Sequence, residues 1–125
     1  MLELLSPAGD LECLIYVDYG CDAVYLGSTM FGMRAGAAKF DPETLRKGVE
    51  YAHAKGARVY LTCNTVPSND EIELLPEFIK TAYDCGIDAA IVSDIGCIAL
   101  IKRTVPELEI HVSTQAGVVN YVTAN

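Results

Sequence analysis

Basic residues are scarce in this sequence. Lysine and arginine total 9 against 17 aspartate and glutamate residues, giving a formal net charge of -8 over 125 residues. Proteins that bind nucleic acid through its phosphates need a local excess of positive charge, and the mean field of this chain opposes such binding. We therefore expect RNA to be held only through regions outside this segment.

Long apolar runs and paired cysteine motifs are absent. Runs such as Ala23–Leu26 and Ala89–Val92 are far shorter than the ~18 residues of a membrane-spanning helix, and no basic signal segment opens the chain. The five cysteines contain no CxxC pair, and their odd number argues against a disulfide framework. We predict a cytoplasmic chain with reduced thiols and no membrane association.

Several catalytic signatures are also missing. The sequence has no GxSxG and no HExxH, and Ser6–Asp10 stands where a GxGxxG would follow the first predicted strand. The cysteines are widely spaced, so no metal site is predicted from them. The residues alone therefore show neither a protease nor a dinucleotide-binding protein.

The sequence does contain a repeated phrase, in which a Gly or Pro turn leads into a short apolar run that ends in small polar residues. The copies begin at Gly20, Gly56, Gly86 and Pro106, and Leu2–Ser6 is predicted as an additional first strand. Apolar residues three and four apart lie between the copies, as in helices. We predict one α/β domain over residues 1–125, built from parallel β/α repeats.

Helix boundaries are marked by turn and cap residues. Asp41 and Asn69, each followed by acidic residues, predict two helix starts, and the glycines that open the next strand phrases predict helix ends. Pro76 lies inside the second of these helices. That helix therefore either starts later or bends at the proline.

Strands joined through helices are parallel with right-handed crossovers, so all five carboxyl ends lie on one side of the sheet. We predict the N-terminal portion, about five strands, of a TIM-type barrel, a fold of ~250 residues when closed. An open doubly wound sheet is the alternative. A parallel edge left open after the fifth strand predicts a truncated chain or a homo-oligomer formed through that edge.

Alternation with a period of two divides the predicted strands into two faces. The aliphatic face, which should meet the helices, contains Val24, Leu26, Val59, Leu61, Ile110 and Val112. The second face should point into the barrel and contains Tyr25, Tyr60, Thr62, Asn64, Asp94, His111, Ser113 and Gln115. Buried polar groups need partners, so this face predicts a site for a small polar ligand, with an internal hydrogen-bond network as the alternative.

His111 and Asp94 are predicted to transfer protons, because both are expected on the face that points into the barrel and an imidazole can exchange protons near neutral pH. A core histidine is the alternative for His111. The ligand-binding residues predicted on the same face are Asn64, Ser113, Gln115 and Tyr25. On the helix, His53 is predicted to be structural.

The longest connection runs from Ser28 to Asp41, and long loops at the carboxyl ends of barrel strands tend to be functional. Arg34 is the only arginine in this loop, and small residues flank it. A guanidinium group binds carboxylate or phosphate in a bidentate manner, so Arg34 is predicted to bind an anionic ligand. A solvent-facing arginine is the alternative.

The order of several short phrases resembles the peptidase U32 family, also called collagenase-like proteases. The phrases are Glu3–Gly9, Asp22–Gly27, Phe31–Ala35, Tyr51–His53, Cys63–Thr65, Ile91–Asp94 and His111–Gln115. The resemblance implies a β/α-barrel catalytic domain, of which this chain supplies the first five strands. It also implies hydroxylation of transfer RNA uridine, ribosomal RNA cytidine or the ubiquinone ring, with a small carboxylated co-substrate such as prephenate.

The resemblance further implies an iron–sulfur cluster in full-length members, held by cysteines downstream of the matched region, so we expect no cofactor to be bound by this segment. Three functions stay open. The chain is part of an enzyme for RNA or small-molecule hydroxylation, or a U32 peptidase, or a non-catalytic fragment that associates through its open sheet edge.

Overall fold

The computed structural model describes residues 2–27, 30–32 and 40–124, and a parallel sheet of five strands forms its centre. The strands are β1 Leu5–Ala8, β2 Ala23–Gly27, β3 Arg58–Cys63, β4 Ala89–Val92 and β5 Glu109–Val112. Each strand pairs with the one that follows it in the chain. A doubly wound sheet reverses its order at a switch point, and this sheet does not. The predicted parallel β/α repeat of a TIM-type barrel is confirmed.

Helices connect the strands and follow the last of them. They are α1 Pro42–Ala54, α2 Asn69–Ile72, α3 Leu75–Asp84, α4 Ile95–Thr104 and α5 Tyr121–Ala124, with 3-10 helices at Glu12–Tyr19 and Thr114–Ala116. The connection from β1 to β2 thus uses a 3-10 helix rather than an α-helix. Within the described ranges, none of the helices has both the length and the apolar character needed to cross a membrane.

The predicted helix boundaries agree with the cap geometry. The side chain of Asp41 accepts a hydrogen bond of 2.9 Å from the backbone N–H of Thr44, and Pro42 occupies the first turn of α1. The chain leaves α1 and α3 through left-handed backbone at Gly56, with φ of 80°, and Gly86, with φ of 96°. This backbone region strongly favours glycine, which explains the turn residues in the repeated phrase.

Pro76 divides the second predicted helix into two. The short helix α2 begins at a capping box, in which Ser68 and Glu71 bond each other's backbone N–H groups. A new helix, α3, then starts at Leu75, so that Pro76 lies in its first turn. Proline is tolerated there because the first N–H groups of a helix have no partner within it.

The first strand was predicted at Leu2–Ser6, and the structure places it at Leu5–Ala8. Leu2 and Leu4 are exposed, whereas Ala8 is buried in the core. Pairing of Leu5 with Ala23 and of Ala8 with Leu26 sets the register. Burial at the end of the segment therefore decides the position of β1, and Pro7 is accommodated because β1 has a neighbour on only one side within the described sheet.

The two faces of the sheet carry separate apolar clusters. Toward the helices, the aliphatic residues of β2 and β3 join a large core with side chains from α1, α3 and α4. On the other face, Ala23, Tyr60 and Ala89 form a smaller cluster, against which Tyr25 and Ile91 pack. The predicted alternation is confirmed for these strands.

Val112 lies on the predicted face of β5, beside its register partner Val92, but its expected contact with the helices is wrong. Ile110 packs against the helix-side core, but Val112, predicted on the same face, is 54% exposed. In the described part of the chain, β5 is followed by a short 3-10 helix and by α5, which contains no buried residue. No helix of ordinary length covers this end of β5 among those residues.

Candidate functional site

Of the polar side chains predicted to point inward, Tyr60 is the most deeply buried, with 1% exposure. Its hydroxyl donates a short hydrogen bond to the carboxylate of Glu3 and accepts one of 3.2 Å from the guanidinium of Arg58. Burial, and then the bond to Glu3, raise the pKa of the Tyr60 phenol. Tyr60 therefore stays neutral and fills the interior.

The partners of Tyr60 lie toward the amino ends of the strands, because Glu3 precedes β1 and Arg58 begins β3. In β/α barrels that end serves stability, and the chemistry takes place at the carboxyl ends. Neither Glu3 nor Arg58 was among the predicted site residues. Arg58 could be found by the same alternation that places Tyr60 inward.

His111 lies on the inner face of β5. Its ring meets that of Tyr60 at a centroid distance of 4.6 Å and an angle of 73°, and its Nε2 lies 3.0 Å from Oε1 of Glu109. Neither Ser113 nor Asp94 is a hydrogen-bond partner of His111 in the described part of the chain. Proton transfer by His111 stays a prediction, with Glu109 as the carboxylate that orients the imidazole.

Asp94 follows β4 and caps α4. Its Oδ1 accepts a hydrogen bond of 2.8 Å from the backbone N–H of Cys97. The half-buried carboxylate also interacts with the thiol of Cys97 and helps to raise the pKa of that thiol. Asp94 thus has a structural role as a helix cap in addition to its predicted role in proton transfer. A substitution must separate these two roles.

The carboxyl ends of β3 and β4 are joined by a polar contact that was not predicted. The hydroxyl of buried Ser93 donates a hydrogen bond of 3.3 Å to the backbone carbonyl of Asn64. This bond brings Asn64 beside the end of β4. The signal for it is the small polar residue with which each strand phrase ends.

Ser113 and Gln115 follow β5. The backbone N–H of Ser113 extends the ladder to the carbonyl of Val92 at 2.8 Å, and its hydroxyl accepts from the backbone N–H of Gln115 at 3.4 Å. Gln115 itself is exposed. Tyr25 is half-buried on the inner face, and Arg34 lies outside the described residues.

A cleft of about 460 Å³ lies beside the carboxyl ends of β2 and β3. Its lining residues are Met30, Phe31, Gly32, Thr65, Val66, Pro67, Glu71 and Leu74. The carbonyl of Phe31 accepts bonds from the backbone N–H of Thr65 at 3.1 Å and from its hydroxyl at 2.9 Å, and the Phe31 ring packs 5.1 Å from that of Phe78. The backbone of Phe31 is left-handed, with φ of 57°, a conformation that these contacts hold in place.

The thiols of Cys63 and Cys97 do not suit nucleophilic catalysis or metal ligation. All five cysteines are free, and Cys63 and Cys97 are buried in the core between sheet and helices. Burial raises the pKa of the Cys63 thiol to about 12 and that of Cys97 to about 11. Metal binding and nucleophilic attack require the thiolate, which these sites disfavour. Cys63 lies on the side of β3 that faces the helices.

Comparison with known proteins places this geometry in a family. Residues 9–125 match Peptidase family U32. The chain is 43% identical to an uncharacterized protease of Methanocaldococcus jannaschii, covering 99% of this chain and 30% of that protein. It is also 43% identical to tRNA hydroxylation protein P of Helicobacter pylori, covering 98% of this chain and 30% of that protein. A 23S rRNA 5-hydroxycytidine synthase of Escherichia coli is 38% identical over 94% of this chain and 18% of its own length.

The chain therefore spans about 30% of the length of the first two relatives. Among solved structures, a U32 peptidase superposes with a TM-score of 0.78 at 18% identity, covering 99% of this chain and 53% of that one. A DHDPS structure from Cyanidioschyzon merolae superposes with a TM-score of 0.57 at 12% identity, covering 86% and 44%. These two likenesses concern the fold. The family match, which extends over nearly the whole chain, shows that this protein belongs to peptidase family U32.

Proposed function

We propose that this chain forms the N-terminal β/α portion of a protein that hydroxylates tRNA or rRNA with the help of a small carboxylated co-substrate. The observation that carries the proposal is the 43% identity to tRNA hydroxylation protein P over 98% of this chain. The ribosomal RNA synthase, at 38% identity, supports the same reaction class on a second RNA substrate.

In this proposal, the carboxyl ends of the strands bind the co-substrate. The binding groups are Arg34, Asn64, Ser113, Gln115 and Tyr25, and the proton-transfer groups are His111 and Asp94. The bond between Ser93 and Asn64 supports this assignment, because it fixes the ends of β3 and β4 beside each other. No step of the reaction is assigned to the cysteines.

RNA is proposed to be bound mainly outside this chain. The net charge of -8 disfavours phosphate contacts, and among the connections that follow the strands only the one between β2 and α1 contains basic residues, Arg34 and Lys39. A cytoplasmic location is part of the proposal, since the proposed substrates are tRNA and rRNA. Self-association through the edge of β5 belongs to the alternative of a non-catalytic fragment, and a monodisperse monomer in light scattering would contradict it.

A peptidase is the second candidate, supported by the family name and by the relative described as an uncharacterized protease. The raised thiol pKa values of Cys63 and Cys97 oppose a cysteine nucleophile at either position. Degradation of gelatin by the purified chain, abolished by a single substitution at a strand end, would favour this candidate.

The proposed function is tested with a chimera. Residues 9–124 replace the matching segment of Escherichia coli tRNA hydroxylation protein P, to which the chain is 40% identical, in a strain that lacks that protein. We expect mass spectrometry to detect hydroxylated tRNA nucleosides with the chimera and none with the empty vector. A chimera that folds to normal abundance but restores no hydroxylation would contradict the proposal.

A further inference from the structure

We infer that the cleft beside β2 and β3 is a docking site for a basic segment of a partner protein, which inserts an apolar side chain between Val66 and Leu74. The inference concerns a protein contact and stands independently of the proposed RNA hydroxylation. Four kinds of observation support it: the volume of the cleft, its apolar walls, its anchored floor and the charge at its rim.

The size and lining of the cleft suit a side chain. Its volume of about 460 Å³ lies within the ~300–1,000 Å³ range of binding clefts. Val66 is 79% exposed and Leu74 is 52% exposed, and Pro67 and Met30 extend the apolar wall. Exposed aliphatic side chains grouped around a concavity gain free energy when a partner covers them.

The floor of the cleft is held in place without a ligand. Thr65 donates two hydrogen bonds to the carbonyl of Phe31, which ties the segment after β2 to the segment after β3. The ring of Phe31 rests on that of Phe78 in α3. A cleft anchored in this way loses little conformational entropy when a partner binds.

The charge at the rim selects the sign of the partner. Glu71 lines the cleft, its sequence neighbours Asp70 and Glu73 are exposed and acidic, and residues 64–74 contain neither lysine nor arginine. The hydrogen bond from the backbone N–H of Ser68 lowers the pKa of Glu71, so its carboxylate is charged at neutral pH. A partner with lysine or arginine beside its apolar anchor would meet complementary charge. An RNA strand would instead bring its phosphates against these carboxylates.

The test uses the 125-residue chain labelled with ¹⁵N and two synthetic peptides, Ac-KLKFK-NH2 and Ac-ELEFE-NH2. We expect the lysine peptide to shift the amide resonances of Thr65, Val66, Glu71 and Leu74 in a saturable manner, and the shifts to weaken as salt is added. The glutamate peptide should leave them unchanged. No shift with the lysine peptide, or equal shifts with both, would overturn the inference.

Two variants and one competitor complete the test. Leu74→Lys should weaken binding of the lysine peptide by about tenfold or more, since it removes apolar area and adds a like charge. Val119→Lys, at a position that is 84% exposed and outside the cleft lining, should bind as the original chain does. A preserved amide spectrum shows that each variant is folded. Oligouridylate is the competitor. If it shifts the amide resonances of the cleft residues at salt concentrations where the lysine peptide no longer does so, the cleft is assigned to RNA and the inference is overturned.

Discussion

The imidazole of His111 meets the ring of Tyr60 edge-on, with the ring centroids 4.6 Å apart. His111 lies on β5 and Tyr60 on β3, so the contact passes over the strand between them. The hydroxyl of Tyr60 in turn binds Glu3, just before β1. Side chains from alternate strands meet in this way in the interior layers of a TIM barrel. The first five strands thus already contain the layered packing of the fold.

Removing the hydroxyl of Tyr60 tests this network. We expect Tyr60→Phe to lower the free energy of unfolding by about 1 kcal/mol, because Glu3 and Arg58 lose a shared partner. Tyr60→Ala should cost about 3–5 kcal/mol, since it also empties the inner cluster. Urea denaturation measures both, with exposed Tyr19→Phe as the control. Equal stability of Tyr60→Phe and the original chain would show that the network contributes nothing.

Two substitutions at Asp94 separate its cap from its proposed chemistry. Asp94→Ala should destabilise the chain by about 1 kcal/mol, because the N–H of Cys97 loses its acceptor, whereas Asp94→Asn should keep the cap. If the carboxylate transfers protons, Asp94→Asn in the chimera should abolish tRNA hydroxylation at normal stability. Full hydroxylation by the Asp94→Asn chimera would leave only the structural task.

The buried thiols predict a loss of stability at alkaline pH. The pKa of Cys63 rises from 9.0 to about 12 on folding, so the unfolded chain releases this proton first. The contribution of the protonated Cys63 thiol to the free energy of unfolding is present below pH 9 and is lost progressively as the pH rises toward 12. Cys63→Ala should therefore show a shallower decline of the unfolding free energy above pH 9, measured by urea denaturation. Parallel declines in the two proteins would contradict the assignment.

Asp88, just before β4, bonds to β3 and to α1. It should contribute more to the free energy of unfolding than its partner His53. Its Oδ2 accepts from the backbone N–H of Val59 at 2.7 Å and lies 2.9 Å from Nε2 of His53. We expect Asp88→Ala to cost about 1–2 kcal/mol, because a backbone donor of β3 loses its acceptor. His53→Ala should cost less than 1 kcal/mol, as for other partly exposed ion pairs. Thermal unfolding of both variants measures which substitution destabilises the chain more. A larger effect of His53→Ala would contradict the prediction.

Arg34 is expected to act in binding rather than in folding. Arg34→Ala in the chimera should raise the concentration of carboxylated co-substrate required for hydroxylation, with prephenate as the probe, and leave the thermal transition unchanged. Arg34→Lys should recover only part of the affinity, since an ammonium group lacks the bidentate geometry. Loss of the thermal transition in Arg34→Ala would instead assign this residue to the structure.

Short-range chemistry determined the order of elements in this chain. Asp41 and Ser68 cap helices through their own side chains, and Gly56 and Gly86 end them through left-handed backbone. Alternation along β2 and β3 separated the helix side from the inner side, because neighbouring residues of a strand point to opposite faces. The strands, the helices and the position of Cys63 on the helix side of β3 follow from these local rules.

Only the tertiary structure decided the partners of each side chain. The sequence by itself contains no signal that the hydroxyl of Tyr60 bonds to Glu3, 57 residues away, or that Thr65 donates a hydrogen bond to the carbonyl of Phe31. Such contacts depend on the register of paired strands. The position of β1 depends on burial of its last residue, Ala8. The exposure of Val112 depends on which helices pack over the end of β5. Local propensity determines which elements form, whereas burial and hydrogen-bond satisfaction, which are properties of the whole packed chain, determine which residues meet.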